Sequence, residues 1–131
     1  MFKKLLLSLI IAVPVVAEAD WEFYSEDDQR NYYFDWERVK LIDSGSKIIS
    51  YWTKSVYYAD LVKDTIAVND YYLTYYLGNC AEDTLAIKSL ALYDKKGNLR
   101  QQNTLPTEFN PVLPDSRGEF LLNKLCTVAF D

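Results

Sequence analysis

From Trp21 onward, apolar and polar positions alternate in short runs divided by polar or glycine-containing turns. Trp21 to Tyr24 reads as a strand with Trp21 and Phe23 on one face, Glu26 to Arg30 as a polar turn, and Asn31 to Asp35 as the returning strand. Asp43-Ser44-Gly45-Ser46 is predicted to turn, with Gly45 free to take a positive φ. Lys47 to Tyr57 is the third strand by its β-branched and aromatic content. Asp70 to Asn79 and Thr84 to Tyr93 follow as a pair around Ala81-Glu82-Asp83. Asp94 to Asn98 is the clearest hairpin turn, with Gly97 suited to its left-handed position, and Leu99 to Thr104 closes the series. Hairpin-like links in succession predict an antiparallel meander of about six strands. Between the third and fourth strands, Tyr58 to Asn69 has loosely spaced apolar residues and room for one helical turn. Connections of that length in small domains often carry function.

The period changes after residue 104. Pro106, Pro111 and Pro114 lack backbone N–H groups, so the segment reads as an extended crossing. Ser116 with Glu119 three residues on forms a capping-box signature. Leu121, Leu122, Leu125 and Cys126 then share one face, with Gly118 one turn earlier, while Arg117, Asn123 and Lys124 lie off it. A helix over 116–126 is marginal alone, so its stripe must lie on the sheet. The predicted class is α+β, mainly β, with one C-terminal helix on a face of the sheet.

The first nineteen residues follow another logic. Met1-Phe2-Lys3-Lys4 is a positive start, Leu5 to Val16 an apolar run, and Ala17-Glu18-Ala19 a small-x-small cleavage pattern. The run is too short to span a bilayer as a helix. Residues 1–19 are therefore expected to be a cleaved secretory signal and 20–131 a single domain. No cysteine lies near the cleavage site, so no lipid anchor is expected in the mature chain, and no later stretch comes near the length of a membrane span.

Composition narrows the function by exclusion. The 131 residues carry 14 Lys+Arg against 19 Asp+Glu, a formal charge of −5, which argues against a nucleic-acid partner. The absence of histidine removes Ser-His and Cys-His nucleophile pairs and histidine metal sites. The acidic run Glu26-Asp27-Asp28 lacks the spacing of a calcium loop. Carboxylate pairs can do acid–base chemistry, but nothing marks such a pair or a nucleophile, so no enzyme, catalytic residue, cofactor or metal is expected.

Export would place Cys80 and Cys126 in an oxidising compartment, where an even pair reads as one disulfide; two buried free thiols are the alternative. The bond would tie the helix to the end of the fourth strand.

That fourth strand carries Tyr71, Tyr72, Tyr75 and Tyr76. If Cys80 meets the helix, alternation turns Tyr72 and Tyr76 inward and exposes Tyr71 and Tyr75, unless a bulge near Gly78 swaps them. Tyr71 and Tyr75, with Tyr57 and Tyr58 at the end of the third strand, are the candidate binding residues, for a homodimer or another protein. Rings lent to the core with hydroxyls left to water are the competing reading.

Several segments together resemble the surface-adhesin protein E family of Gram-negative bacteria. They are Trp21 with its acidic turn, Tyr32-Tyr33-Phe34-Asp35, Trp52, Asn79-Cys80, Ser89 to Tyr93 leading into Asp94-Lys95-Lys96-Gly97-Asn98, and Pro111 to Ser116 before a helix ending at Leu125-Cys126. The resemblance implies a six-stranded antiparallel sheet with a disulfide-held C-terminal helix, and Cys80 and Cys126 match the family's cysteine pair. It also implies adhesion to host matrix or serum proteins such as vitronectin, laminin and plasminogen. The chain departs from the lipid-anchored pattern, and Lys54, Lys63, Lys88, Lys95, Lys96 and Arg100 are scattered among acids rather than clustered. Two functions follow as expectations: an exported adhesin-like binding domain on the surface or secreted, or a soluble periplasmic envelope protein that self-associates or binds a bacterial partner.

Overall fold

The structure, a computed structural model, describes residues 20–61, 65–104 and 106–130. The expected signal segment lies outside the described residues, as do 62–64 of the long connection. The described ends of that connection pair Leu61 with Ile66.

One antiparallel sheet holds eight strands. They are β1 (Glu22–Glu26), β2 (Arg30–Phe34), β3 (Lys40–Asp43), β4 (Ile48–Tyr57), β5 (Tyr71–Asn79), β6 (Thr84–Tyr93), β7 (Leu99–Asn103) and β8 (Asn110–Pro111). A 3-10 turn (Trp36–Arg38) links β2 to β3, and the helix α1 spans Arg117–Phe130. Six strands run in the order β1-β2-β4-β5-β6-β7, the expected meander. Two short strands are additions to it: β3 lies on β4 beyond β2, and β8 lies on β6. Every residue of β3 and β8 is exposed, so neither carries the alternation that marks a half-buried strand. Pro111 is tolerated because β8 is an edge.

The turns follow their side chains. Gly97 takes the left-handed conformation at φ 89, as expected. At the Asp43-Ser44-Gly45-Ser46 turn the positive φ falls instead on the next residue, Lys47, at 58°. Asp43 there accepts the Gly45 N–H at 2.9 Å and the Ser46 hydroxyl at 3.0 Å, so side-chain bonds close the turn.

Alternation along β4 and β5 defines the two faces. Ile49, Tyr51, Thr53, Ser55 and Tyr57 of β4 share one face with Tyr72, Thr74, Tyr76 and Gly78 of β5, opposite each other as Ile49–Gly78, Tyr51–Tyr76, Thr53–Thr74 and Ser55–Tyr72. On β6 the register slips by one residue at Lys88, since Tyr75 faces Ser89 but Tyr76 faces Ile87. This bulge brings Leu85, Ile87, Leu90 and Leu92 to the same side despite their change of parity.

The helix covers only half of that face. Leu121, Leu122 and Leu125 are fully buried against Phe34, Ile49 and Tyr51. Gly78 leaves room for Leu122: a Cβ there would lie 2.6 Å from Leu122 Cδ1. Cys80 and Cys126 form the disulfide, with Cα atoms 5.7 Å apart. At the helix start Ser116 Oγ accepts the Glu119 N–H at 3.1 Å. The Glu119 carboxylate accepts from the N–H of Asp115 at 2.7 Å, a residue with φ 59. The helix also continues past Cys126 to Phe130, because Phe130, one turn on, packs back onto the core.

Candidate functional site

Two surfaces remain once the helix is in place. The first is the face away from the helix, carrying Trp52 and Lys54 of β4 with Tyr71, Leu73 and Tyr75 of β5. Trp52 stacks on Tyr75 at 4.8 Å and Tyr71 on Tyr93 at 5.3 Å. The Lys54 ammonium sits 4.4 Å over the Tyr71 ring and 5.7 Å over the Trp21 ring, with the Arg38 guanidinium 5.9 Å from Trp21 on the same side. Trp21, Arg38, Trp52, Lys54, Tyr71 and Leu73 enclose a hollow of about 260 Å³. Burial among these rings lowers the pKa of Lys54.

The second surface is the half of the helix-side face that the helix does not reach. Here β4 changes from Ile49 and Tyr51 to Thr53, Ser55 and Tyr57, and β5 from Gly78 and Tyr76 to Thr74 and Tyr72. A groove of about 490 Å³ opens there between walls of Tyr24, Tyr32, Tyr57, Tyr72 and Tyr76. Arg117 reaches in from the first turn of α1 and lies over the Tyr32 ring, with Cζ 3.9 Å from the ring centroid. Arg30 approaches the same ring from 5.2 Å and the Tyr57 ring from 5.4 Å.

Asp27, in the β1–β2 turn, organises the mouth. Its carboxylate accepts the Tyr32 hydroxyl at 2.6 Å and the N–H groups of Arg30 and Gln29 at 2.7 and 2.9 Å, and lies 3.6 Å from Arg117. Burial works against its charge, but these hydrogen bonds and the Arg30 charge outweigh that and hold its pKa at about 2. Burial, aided by the bond to Asp27, pushes Tyr32 up to about 12. Tyr24, Tyr51 and Tyr76 are likewise raised, burial being the main cause.

The structure separates the four candidate tyrosines. Tyr71 and Tyr75 lie on the helix-free face, as the alternation required, but half-buried rather than exposed, because Tyr93 and Trp52 stack on them. Tyr57 is buried on the opposite face in the groove wall. Tyr58 is exposed at the end of β4, where its hydroxyl donates to the Asp27 carbonyl and its N–H to the Gln29 carbonyl, closing the β1–β2 hairpin onto the sheet. Sequence reading did not gather Trp21, Lys54, Arg38 and Tyr93 on one face, or Arg30 and Arg117 on the other. Arg117 lies off the apolar stripe in the sequence pattern, and its one signal is its position one turn before Leu121.

The arrangement of sheet, helix and bond has a counterpart in sequence: the description of one family, surface-adhesin protein E, matches residues 21–127. The chain belongs to that family. No curated protein matches it. The matched span of this adhesin E domain takes in both surfaces and both cysteines, so the aromatic ledge and the arginine groove lie within the family domain. Among the described residues no helix is long and apolar enough to cross a membrane. Ring faces, hydroxyls and guanidiniums are groups that bind, in keeping with an adhesin-like protein.

Proposed function

We propose that the chain is exported, loses residues 1–19, and acts through 20–131 as a single non-catalytic binding domain that meets a protein partner on the helix-free face. The supporting observation is the ledge of stacked rings, Trp52 on Tyr75 and Tyr71 on Tyr93, edged by Lys54 and Arg38. Aromatic residues with arginine are the composition enriched in interface cores. Family membership adds the adhesive role, with host matrix or serum proteins as partners. A periplasmic envelope role with a second copy or a bacterial partner is the other reading, favoured by cationic residues dispersed among acids.

Localisation in the native cells tests the proposal. Digestion by protease added to intact cells supports the surface version, and release by osmotic shock after protection supports the periplasmic one. Retention of the full-length chain in the cytoplasm overturns export. In sedimentation and in solid-phase binding to vitronectin or laminin, the Tyr71→Ser/Tyr75→Ser variant should lose the association that the wild type shows. Unchanged association would remove this face from the proposal.

A further inference from the structure

The arginine groove has a charge and a lining that a docking ledge on the other face does not use. Arg117 is compensated by Asp27, 3.6 Å away, and also donates to Ser25 Oγ at 3.3 Å. Arg30 feels the charge of Asp27 but forms no ion pair with it. No described carboxylate pairs with its guanidinium, and its buried Nε finds no hydrogen-bond partner among the described residues. Among the described residues that line the groove none is acidic, although the chain as a whole is. The protein itself covers that Nε, but the Arg30 side chain lines the groove beside the Tyr32 and Tyr57 rings, where an anionic acceptor from outside the chain could meet the rest of the guanidinium.

The lining describes the rest of that molecule. Thr53, Ser55 and Thr74 form a floor of small hydroxyl residues where the sheet face would otherwise carry apolar core. The Thr53 hydroxyl already bonds to Tyr76, and a hydroxylated body can add hydrogen bonds to a floor of this kind where an apolar one cannot. Six tyrosines, Tyr51 among them, line the groove and supply flat rings. A groove of about 490 Å³ falls in the range of small-molecule sites.

We propose that this groove binds a small hydroxylated ring carrying one carboxylate, an acidic sugar of the hexuronate type. Its carboxylate lies against Arg30, its ring between the walls of Tyr32, Tyr57 and Tyr72, and its hydroxyls over Thr53, Ser55 and Thr74. A planar guanidinium matches a carboxylate with two parallel N–H donors, which is why Arg30 sets the charge preference.

Titration of the full mature domain with sodium glucuronate tests this, followed by calorimetry and by the Arg30 Nε–H resonance in proton–nitrogen spectra. Glucuronate should bind and move that resonance, glucose should bind at least tenfold more weakly, and so should benzoate. Arg30→Gln should weaken glucuronate binding by about tenfold or more, the range for a lost charged hydrogen bond. Thr74→Leu, which fills the floor without touching a charge, should abolish it and covers the case in which Arg30→Gln fails to fold. A wild-type Arg30 resonance that stays still under glucuronate overturns the proposal. So does benzoate or glucose binding as tightly as glucuronate. Tyr71 and Tyr75 play no part, so the result stands apart from the test of the helix-free face.

Discussion

Replacing Gly78 by alanine adds a single methyl at the point where helix and sheet approach most closely. Its carbon would lie 2.6 Å from Leu122 Cδ1 and 3.3 Å from Tyr51 Cε1, against about 3.5–4.0 Å for an unstrained carbon contact. Leu122 and Tyr51 are both fully buried, so neither has free space to enter. The helix cannot simply lift, because the Cys80–Cys126 bond lies two residues along from Gly78 and one turn along from Leu122. Overpacking of this kind costs about 1–3 kcal/mol. Alanine recovers roughly 0.5–1 kcal/mol from the entropy of a glycine in mid-strand. The mid-range values leave an expected net loss of about 1 kcal/mol, which for a domain near 100 residues lowers Tm by roughly 4–8 °C. Thermal and urea unfolding of wild type, Gly78→Ala, Leu122→Ala and the double variant measure it. The methyl introduced by Gly78→Ala occupies part of the space that Leu122→Ala vacates, so the double variant should be more stable than the two single losses added together. A Gly78→Ala protein as stable as the wild type, or strict additivity, would refute the argument from close approach.

The remaining predictions concern the staples and charges. Removing the disulfide by Cys80→Ala/Cys126→Ala frees a chain separation of 46 residues, so urea unfolding should show a loss of about 4 kcal/mol on the chain-entropy estimate. Asp70 is buried and accepts from the Ala67 N–H, the Lys95 N–H and Arg100 at 2.9, 3.1 and 3.0 Å. Asp70→Ala should therefore cost about 3 kcal/mol in the same assay. Asp27 has its folded pKa lowered from 3.8 to about 2, so its stabilisation is present above the unfolded value and lost as pH falls from 3.8 to about 2. Acid unfolding of Asp27→Asn should lack that part of the slope. Tyr32 is raised to about 12, with Tyr24, Tyr51 and Tyr76 also raised, so they stabilise the fold below pH 10 and progressively less above it. A spectroscopic tyrosine titration should show these hydroxyls ionising late, with alkaline unfolding.

Much of this architecture is written locally in the chain. Turn chemistry at Asp27 and at Asp94 to Asn98, period-two alternation in β4 and β5, and the Ser116–Glu119 cap are all short-range signals, and each stands where the residues put it. The opposite facing of Tyr71 and Tyr76 follows from parity alone once Cys80 is joined to the helix. Partners across strands are not local. Trp52 meets Tyr75, and Arg30 meets Tyr57, only because of a register set by hydrogen bonds between distant segments. The bulge at Lys88 realigns four apolar residues of β6 that simple alternation would have split between faces. The groove depends on one further circumstance: the helix stops short of Thr53, Ser55 and Thr74, and Arg117 in its first turn swings over Tyr32. Sequence determined the six meander strands, the C-terminal helix, their order and the buried faces of β4, β5 and the helix, because those rest on neighbours along the chain. Tertiary structure alone decided which rings stack and where the Arg30 guanidinium lies, because those depend on how far one packed element reaches across another.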